Sequence, residues 1–279
     1  MLSLVLGFRN MVRAPAVAGR FYPADPRELS KQVDECVSAS KRREKAAAIA
    51  CVVPHAGYMY SGAVAGSVYG ALRLTRRVVL FGPRHYPRGE SLAILTEGEW
   101  KTPLGLVRVD AKLASELRHG FPRLRDDAVA HQAEHSLEVQ LPFLQRLLGD
   151  FTFVPVVIGT DRFAVLEELG TALAGVLQAQ PESVLMIASS DMNHYESDVV
   201  TREKDRLAIE RILALDPRGL WDTVRDRGIS MCGYAPTVAI LTAAKLLGAT
   251  RGELVSYATS GDITGDYEAV VGYAGMVIR

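Results

Sequence analysis

Three hydrophobic runs of this chain each end in a loop that carries a histidine. Val52-Val53 leads into Pro54-His55-Ala56-Gly57-Tyr58, and Val78-Val79-Leu80-Phe81 leads into Gly82-Pro83-Arg84-His85-Tyr86. Val184-Leu185-Met186-Ile187-Ala188 leads into Ser189-Ser190-Asp191-Met192-Asn193-His194-Tyr195. The runs show no polar alternation, which marks strands buried on both faces, as in parallel sheets. In an open parallel sheet, ligands bind at the carboxyl ends of the strands. Only six histidines occur in 279 residues, so three at one kind of place carry weight. Imidazoles delivered to one sheet edge can share a metal ion or a proton-transfer task.

The rest of the chain continues the same rhythm. Further strands are expected at 92–96, 151–158, 253–259 and 269–278, with helices at 26–40, 63–74, 111–118, 136–148, 162–178, 199–214, 218–226 and 235–247. Asp161 is expected to cap the helix that follows it. The alternation predicts an α/β fold: a single domain with a mostly parallel or mixed central sheet flanked by helices. Residues 11–279 are expected to form that domain. Residues 1–10 read as an upstream extension, disordered or loosely packed, with Met11 as an alternative start. Their apolar stretch is far too short to span a bilayer.

Composition narrows the function classes. The formal net charge is zero and 48% of residues are hydrophobic. A nucleic-acid footprint would show clustered excess Lys and Arg, and the one basic run, Lys41-Arg42-Arg43-Glu44-Lys45, is short. Cys36, Cys51 and Cys232 are odd in number and lack metal-ribbon spacing, so a reducing, cytoplasmic setting is expected. Neither a nucleic-acid partner nor a membrane is indicated. No glycine-rich phosphate loop opens a helix.

The loops themselves hold the chemistry. Cys232 precedes Gly233-Tyr234-Ala235-Pro236, at an expected helix start, where free N–H groups favour a thiolate. That makes Cys232 a nucleophile or ligand candidate, against a structural reading. Asp191 stands three residues before His194 and could orient it for general acid/base work, or simply cap a helix beginning near Tyr195. His131-Gln132-Ala133-Glu134-His135 matches the H-x-x-E-H pattern of some zinc peptidases. The match is short, Pro142 interrupts the expected helix, and His135 and Glu138 read better as polar groups near a cleft or helix start. Hydrolysis by Ser190 or Cys232 with His194 lacks the G-x-S-x-G elbow that would support it.

Taken in order, Arg13–Pro23, Pro54–Tyr58, Gly82–His85, Glu134–Glu138, Ser189–Tyr195, Cys232-Gly233 and Ser260-Gly261-Asp262 resemble the MEMO family over nearly the whole chain. The resemblance implies a fold similar to the catalytic subunit of class III extradiol dioxygenases, which use non-haem iron. It implies one transition metal, iron or copper with zinc as a further option, held by His55, His85 and Cys232. It places His194 as acid/base, with Asp191 beside it, and Tyr58, Tyr195 and Tyr234 are taken as substrate-binding candidates. In the dioxygenases the third ligand is a carboxylate, so Cys232 is a departure. The implied activity is redox or oxygen chemistry on a small molecule. The alternative is a non-catalytic protein- or phosphopeptide-binding module, with Arg20, Arg84 and Arg88 as candidate contacts. Prokaryotic relatives imply a functional link to AMMECR1-type and radical-SAM proteins.

Overall fold

The computed structural model describes residues 12–38 and 45–279. The expected extension at 1–10 and most of the basic run at 41–45 lie outside the described residues. In chain order the elements are β1 (Val12–Arg13), α1 (Pro26–Ser38), β2 (Ala50–Val53), α2 (Tyr58–Ala71), β3 (Arg77–Pro83), β4 (Leu92–Ile94), β5 (Glu99–Thr102) and β6 (Gly105–Val109). They continue with α3 (Ala111–Gly120), β7 (Arg125–Asp126), α4 (Ala128–His131), α5 (His135–Glu138), α6 (Leu141–Leu148), β8 (Thr152–Ile158), α7 (Phe163–Gln178) and β9 (Leu185–Ser189). The last are β10 (His194–Glu196), α8 (Asp198–Leu213), α9 (Pro217–Asp226), α10 (Tyr234–Leu246), β11 (Gly252–Thr259), α11 (Gly261–Thr264) and β12 (Val270–Ile278).

The sheet is mixed, and its spatial order is β1-β5-β6-β8-β3-β9-β2-β12-β10. Strands β6, β8, β3, β9 and β2 run parallel, whereas β12 pairs antiparallel with β2, β10 and β11. The apolar runs that announced β2, β3 and β9 are buried along their length because neighbouring strands flank them and helices cover them. Helix α10 is apolar around nearly its whole circumference. It therefore lies inside the molecule, packed on β3 and β9 and covered by α7 and α9.

The strand order decides where the loops go. β9 lies between β3 and β2, so the three histidine-bearing loops leave adjacent strands at the same edge. Neighbouring strands are ~4.8 Å apart, so all three loops begin within about 10 Å of one another.

Several local expectations are corrected by packing. Helix α2 begins directly after Gly57 rather than at 63: Ser61 N already donates to Gly57 O, and Gly62 and Gly66 leave room for Cys36 of α1. The expected helix at 136–148 is two pieces, α5 and α6, broken ahead of Pro142, which sits in the first turn of α6 where its missing N–H costs nothing. Asp161 does not cap α7; its carboxylate pairs with Arg225 at 2.8 Å and its carbonyl accepts from Trp221 Nε1. No helix starts at Tyr195. That segment is strand β10, and Tyr195 is the bulged residue in its pairing with β12, at φ 62°. The hairpin β5–β6 was not anticipated, since its residues alternate too weakly to stand out.

Candidate metal centre

At the shared strand edge the imidazoles of His55 and His85 meet edge to face, with centroids 5.1 Å apart. A third imidazole, His135, stacks on His85 at 4.3 Å and lies 5.6 Å from His55. One ring nitrogen from each of the three falls within 4.8 Å of the other two, close enough to hold one metal ion. His55 is buried, His135 partly buried and His85 exposed, so the cluster opens to solvent on the His85 side.

Two glycines make this convergence possible. At Gly82, the next-to-last residue of β3, an added Cβ would collide with Ser136 Oγ and Leu137. The bare backbone lets the α5 turn settle against β3, which places His135 beside His85. At Gly233 an added Cβ would collide with Ser189 O and Ser190, so only glycine lets the start of α10 press against the end of β9. That approach carries Cys232 Sγ to 3.2 Å from His55 Nε2.

Hydrogen bonds fix which nitrogen of His55 is free. The hydroxyl of Ser189 donates its only proton to Ser136 O at 2.6 Å and accepts from Gln140 Nε2 at 2.9 Å. Gln140 is itself oriented, because its Oε1 accepts from Tyr69 OH and its Nε2 also donates to Pro54 O. Ser189 Oγ can therefore only accept from His55 Nδ1, 3.0 Å away, and the lone pair of His55 Nε2 faces Cys232. His194 is fixed in the same way. Its Nδ1 lies 2.9 Å from the carbonyl of Ser230, so Nδ1 carries a hydrogen and Nε2 is the nitrogen available for proton transfer.

Burial and mutual repulsion keep His55 and His135 neutral. Burial, then the charge His85 would bear, pushes His55 well below the ordinary imidazole range. Burial, with His55 and His85 adding to it, takes His135 down to about 3. Burial alone would raise Glu134, but the hydrogen bond and charge of His85, the Ser136 N–H and His135 hold it at about 2. Burial, then the nearby Asp191 carboxylate, pushes the Cys232 thiol up. Burial also raises Asp191, against the hydrogen bond its Oδ1 takes from the His55 N–H at 2.7 Å. Its other oxygen, Oδ2, lies 3.9 Å from His55 Nε2.

The remaining sequence candidates fall in different places. Tyr195 is 78% exposed and rests against His194, with ring centroids 5.6 Å apart. Tyr58 is buried, its hydroxyl spent on Val139 O at 2.6 Å and its ring against Tyr22 and Phe143. Tyr234 stands half-buried near Arg225 and Asp161. His131 is turned away from the cluster, with Nδ1 on Asp127 O and its ring edge against Trp100. The H-x-x-E-H pattern therefore does not present two ligands on one helix face. Arg20 and Arg84 donate to carbonyls of their own loops, Ala16 and Gly89.

His135 and Glu134 are the site residues that sequence reasoning undervalued. Their signal was present in the stretch Glu134–Glu138, whose last carboxylate holds the N-terminal strap. Glu138 accepts from Arg13 Nη1, Ala16 N, Val17 N and Tyr22 OH, at 2.6 to 3.0 Å. The strap in turn lays Phe21 against His135, with centroids 4.9 Å apart.

Fold and site together define an α/β protein with a potential metal centre at the carboxyl edge of a mixed sheet. The Memo-like protein family model matches residues 13–277, and the chain belongs to that family. MEMO1 family proteins of Methanopyrus kandleri and Methanosarcina barkeri are 43% and 44% identical to it. Both alignments cover 96% of this chain, and 99% and 100% of those proteins respectively. One from Aquifex aeolicus is 41% identical over 95% of this chain and 98% of that protein. A crystal structure of an uncharacterized protein from Escherichia coli K12 shares the fold, with a TM-score of 0.54 at 11% identity over 82% of this chain and 98% of that one. Among the described residues, no helix is long and apolar enough to cross a membrane.

Proposed function

We propose that this protein is a metal-dependent redox or oxygen-using enzyme acting on a small molecule, with the metal held by His55, His85 and Cys232. The observation that carries the proposal is the aim of the His55 Nε2 lone pair at Cys232 Sγ, 3.2 Å away, beside a second and a third imidazole. That separation suits two donors on one ion. The donor set fits a transition metal in a second respect. His135 Nδ1 is buried and has no hydrogen-bond partner among the described residues, which makes His135 a candidate for an additional donor.

When bound, the metal would supply a Lewis acid and a one-electron redox centre. The protein's own groups do the rest. His194, with Nδ1 anchored on Ser230 O and near enough to His55 and Asp191 to act on both by charge, would take and return a proton. Asp191 holds the His55 backbone in place. The sulfur of Cys232, a thiolate only once a metal takes its proton's place, would stand where the dioxygenase pattern has a carboxylate. Softer sulfur would move preference toward copper or zinc, with iron remaining an option. The similarity to class III extradiol dioxygenases belongs to this proposal, as does a small aromatic substrate.

The test is anaerobic purification with metal analysis, then oxygen consumption against a panel of catechols and thiols. One metal per chain and turnover with at least one compound support the proposal. Normal metal content in alanine variants of His55, His85 and Cys232 alike would overturn it. Metal uptake without turnover would favour a binding module built on the same pocket.

A further inference from the structure

The glutamate of the H-x-x-E-H pattern has a task the peptidase reading does not describe. Glu134 is buried, 1% exposed, in the turn that leads into α5. Its Oε2 accepts the His85 backbone N–H at 2.8 Å, and its Oε1 accepts the Ser136 backbone N–H at 2.9 Å. The same Oε1 lies 2.8 Å from His85 Nδ1. A carboxylate already serving two obligate N–H donors acts as an acceptor toward the ring as well. His85 Nδ1 therefore carries the hydrogen, and the Nε2 lone pair is left for the pocket.

His85 needs such a partner more than its neighbours do. Its side chain is 27% exposed, whereas His55 is locked from behind by Ser189. A free imidazole side chain favours the opposite tautomer, with hydrogen on Nε2, which would turn a donor toward the pocket and block coordination there. The same short turn also reaches the other ligand, because Ser136 O is what receives the Ser189 hydroxyl and so commits Ser189 to accepting from His55. The backbone of the turn is tied to the strap, with Arg13 Nη2 donating to Glu134 O at 2.8 Å.

We propose that Glu134 is a positioning residue that locks His85 in the Nδ1–H tautomer and thereby sets the affinity of the pocket for a metal; this rests on the metal-binding reading above. Carboxylates behind ligand histidines act in this way, and losing one costs roughly 10–100-fold in metal affinity. In a Glu134→Gln variant the amide nitrogen must face at least one of these N–H donors, and only the His85 ring can answer by moving its hydrogen to Nε2, since the two backbone N–H groups cannot give theirs up.

The experiment uses the full chain, metal-free and labelled with ¹⁵N-histidine, and zinc alone as the probe. In the wild type the His85 ring should show the Nδ1–H pattern. In Glu134→Gln it should shift toward Nε2–H, while the zinc dissociation constant, measured against a chromophoric chelator, rises roughly 10–100-fold. The melting temperature should stay near the wild-type value. A wild-type His85 in the Nε2–H form overturns the proposal, as does a folded Glu134→Gln protein with wild-type zinc affinity. If that variant does not fold, the wild-type spectrum decides alone. A wild-type chain that takes up no zinc overturns the metal reading and the affinity half of this proposal with it, whereas the spectrum still judges the tautomer separately.

Discussion

Cys232 Sγ lies 3.2 Å from His55 Nε2, although 177 residues separate them. The pair brings a soft donor from the first residues before α10 against an imidazole from the loop after β2. In the proposed metal site, sulfur at this point would set the metal preference, and it is the atom whose removal is most informative.

Replacing Cys232 by Ser exchanges a soft donor for a hard, poorly acidic one of similar shape. The variant should fold, and its copper and zinc affinity should fall by more than the roughly 100-fold upper range seen for outer partners of ligands. Competition titration with a chelator of known affinity measures this. His135→Ala asks a separate question: a loss of the same size would make His135 a ligand, and a loss under about tenfold would make it a wall.

Gly82→Ala should be destabilising well beyond an ordinary surface change. The new methyl meets Ser136 Oγ and Leu137, which belong to a packed turn. Overpacking of this kind costs about 1–3 kcal/mol, and relief requires α5 to back away from β3. Urea denaturation should show the loss of stability, and metal affinity should fall with it because His135 and Glu134 move together.

Removing Glu138 should be among the most damaging single changes away from the pocket. Its carboxylate is fully buried and serves four donors, among them the guanidinium of Arg13. Glu138→Ala leaves that charge and two backbone N–H groups unpaired, for a cost of about 3–5 kcal/mol. Limited proteolysis should detect early cleavage within the strap at 13–22, ahead of the rest of the chain.

Asp205 gives the fold a pH dependence. It is buried, accepting from Asn193 N at 2.8 Å and from Tyr257 OH at 2.7 Å, with Arg202 near enough to act on it by charge. Burial outweighs these and raises its carboxyl from 3.8 to about 7. The folded state thus binds the proton more tightly than the unfolded state. Its contribution is full below pH 3.8, declines as pH rises through about 7, and is flat above. The loss is on the order of 4 kcal/mol at most. Urea midpoints measured from pH 5 to pH 8 should fall for the wild type and stay nearly level for Asp205→Asn. Equal slopes in the two proteins would remove the assignment.

Much of the architecture was legible from local pattern. Uninterrupted apolar runs identify β2, β3 and β9 as doubly covered strands, and the loops that follow them hold His55, His85 and Asp191–His194. Those features depend on residues close in the chain, where burial and turn chemistry leave a direct imprint. The expected helix across 136–148 failed for a related reason. Pro142 signals a break, but where α5 ends is decided by its docking on β3.

The sequence by itself determined the α/β rhythm, the three histidine-tipped strand ends and the family stretches that singled out Cys232. Only the tertiary structure decided that β9 lies between β3 and β2, which makes three distant loops neighbours. It also decided that His135 joins the cluster while His131 does not, and that Glu134 faces His85 from behind. The physical reason is range. Periodicity reports which face of an element is buried, whereas ring orientation and tautomer are set by hydrogen bonds between residues such as Ser136 and Ser189, brought together by close backbone approach at Gly82 and Gly233.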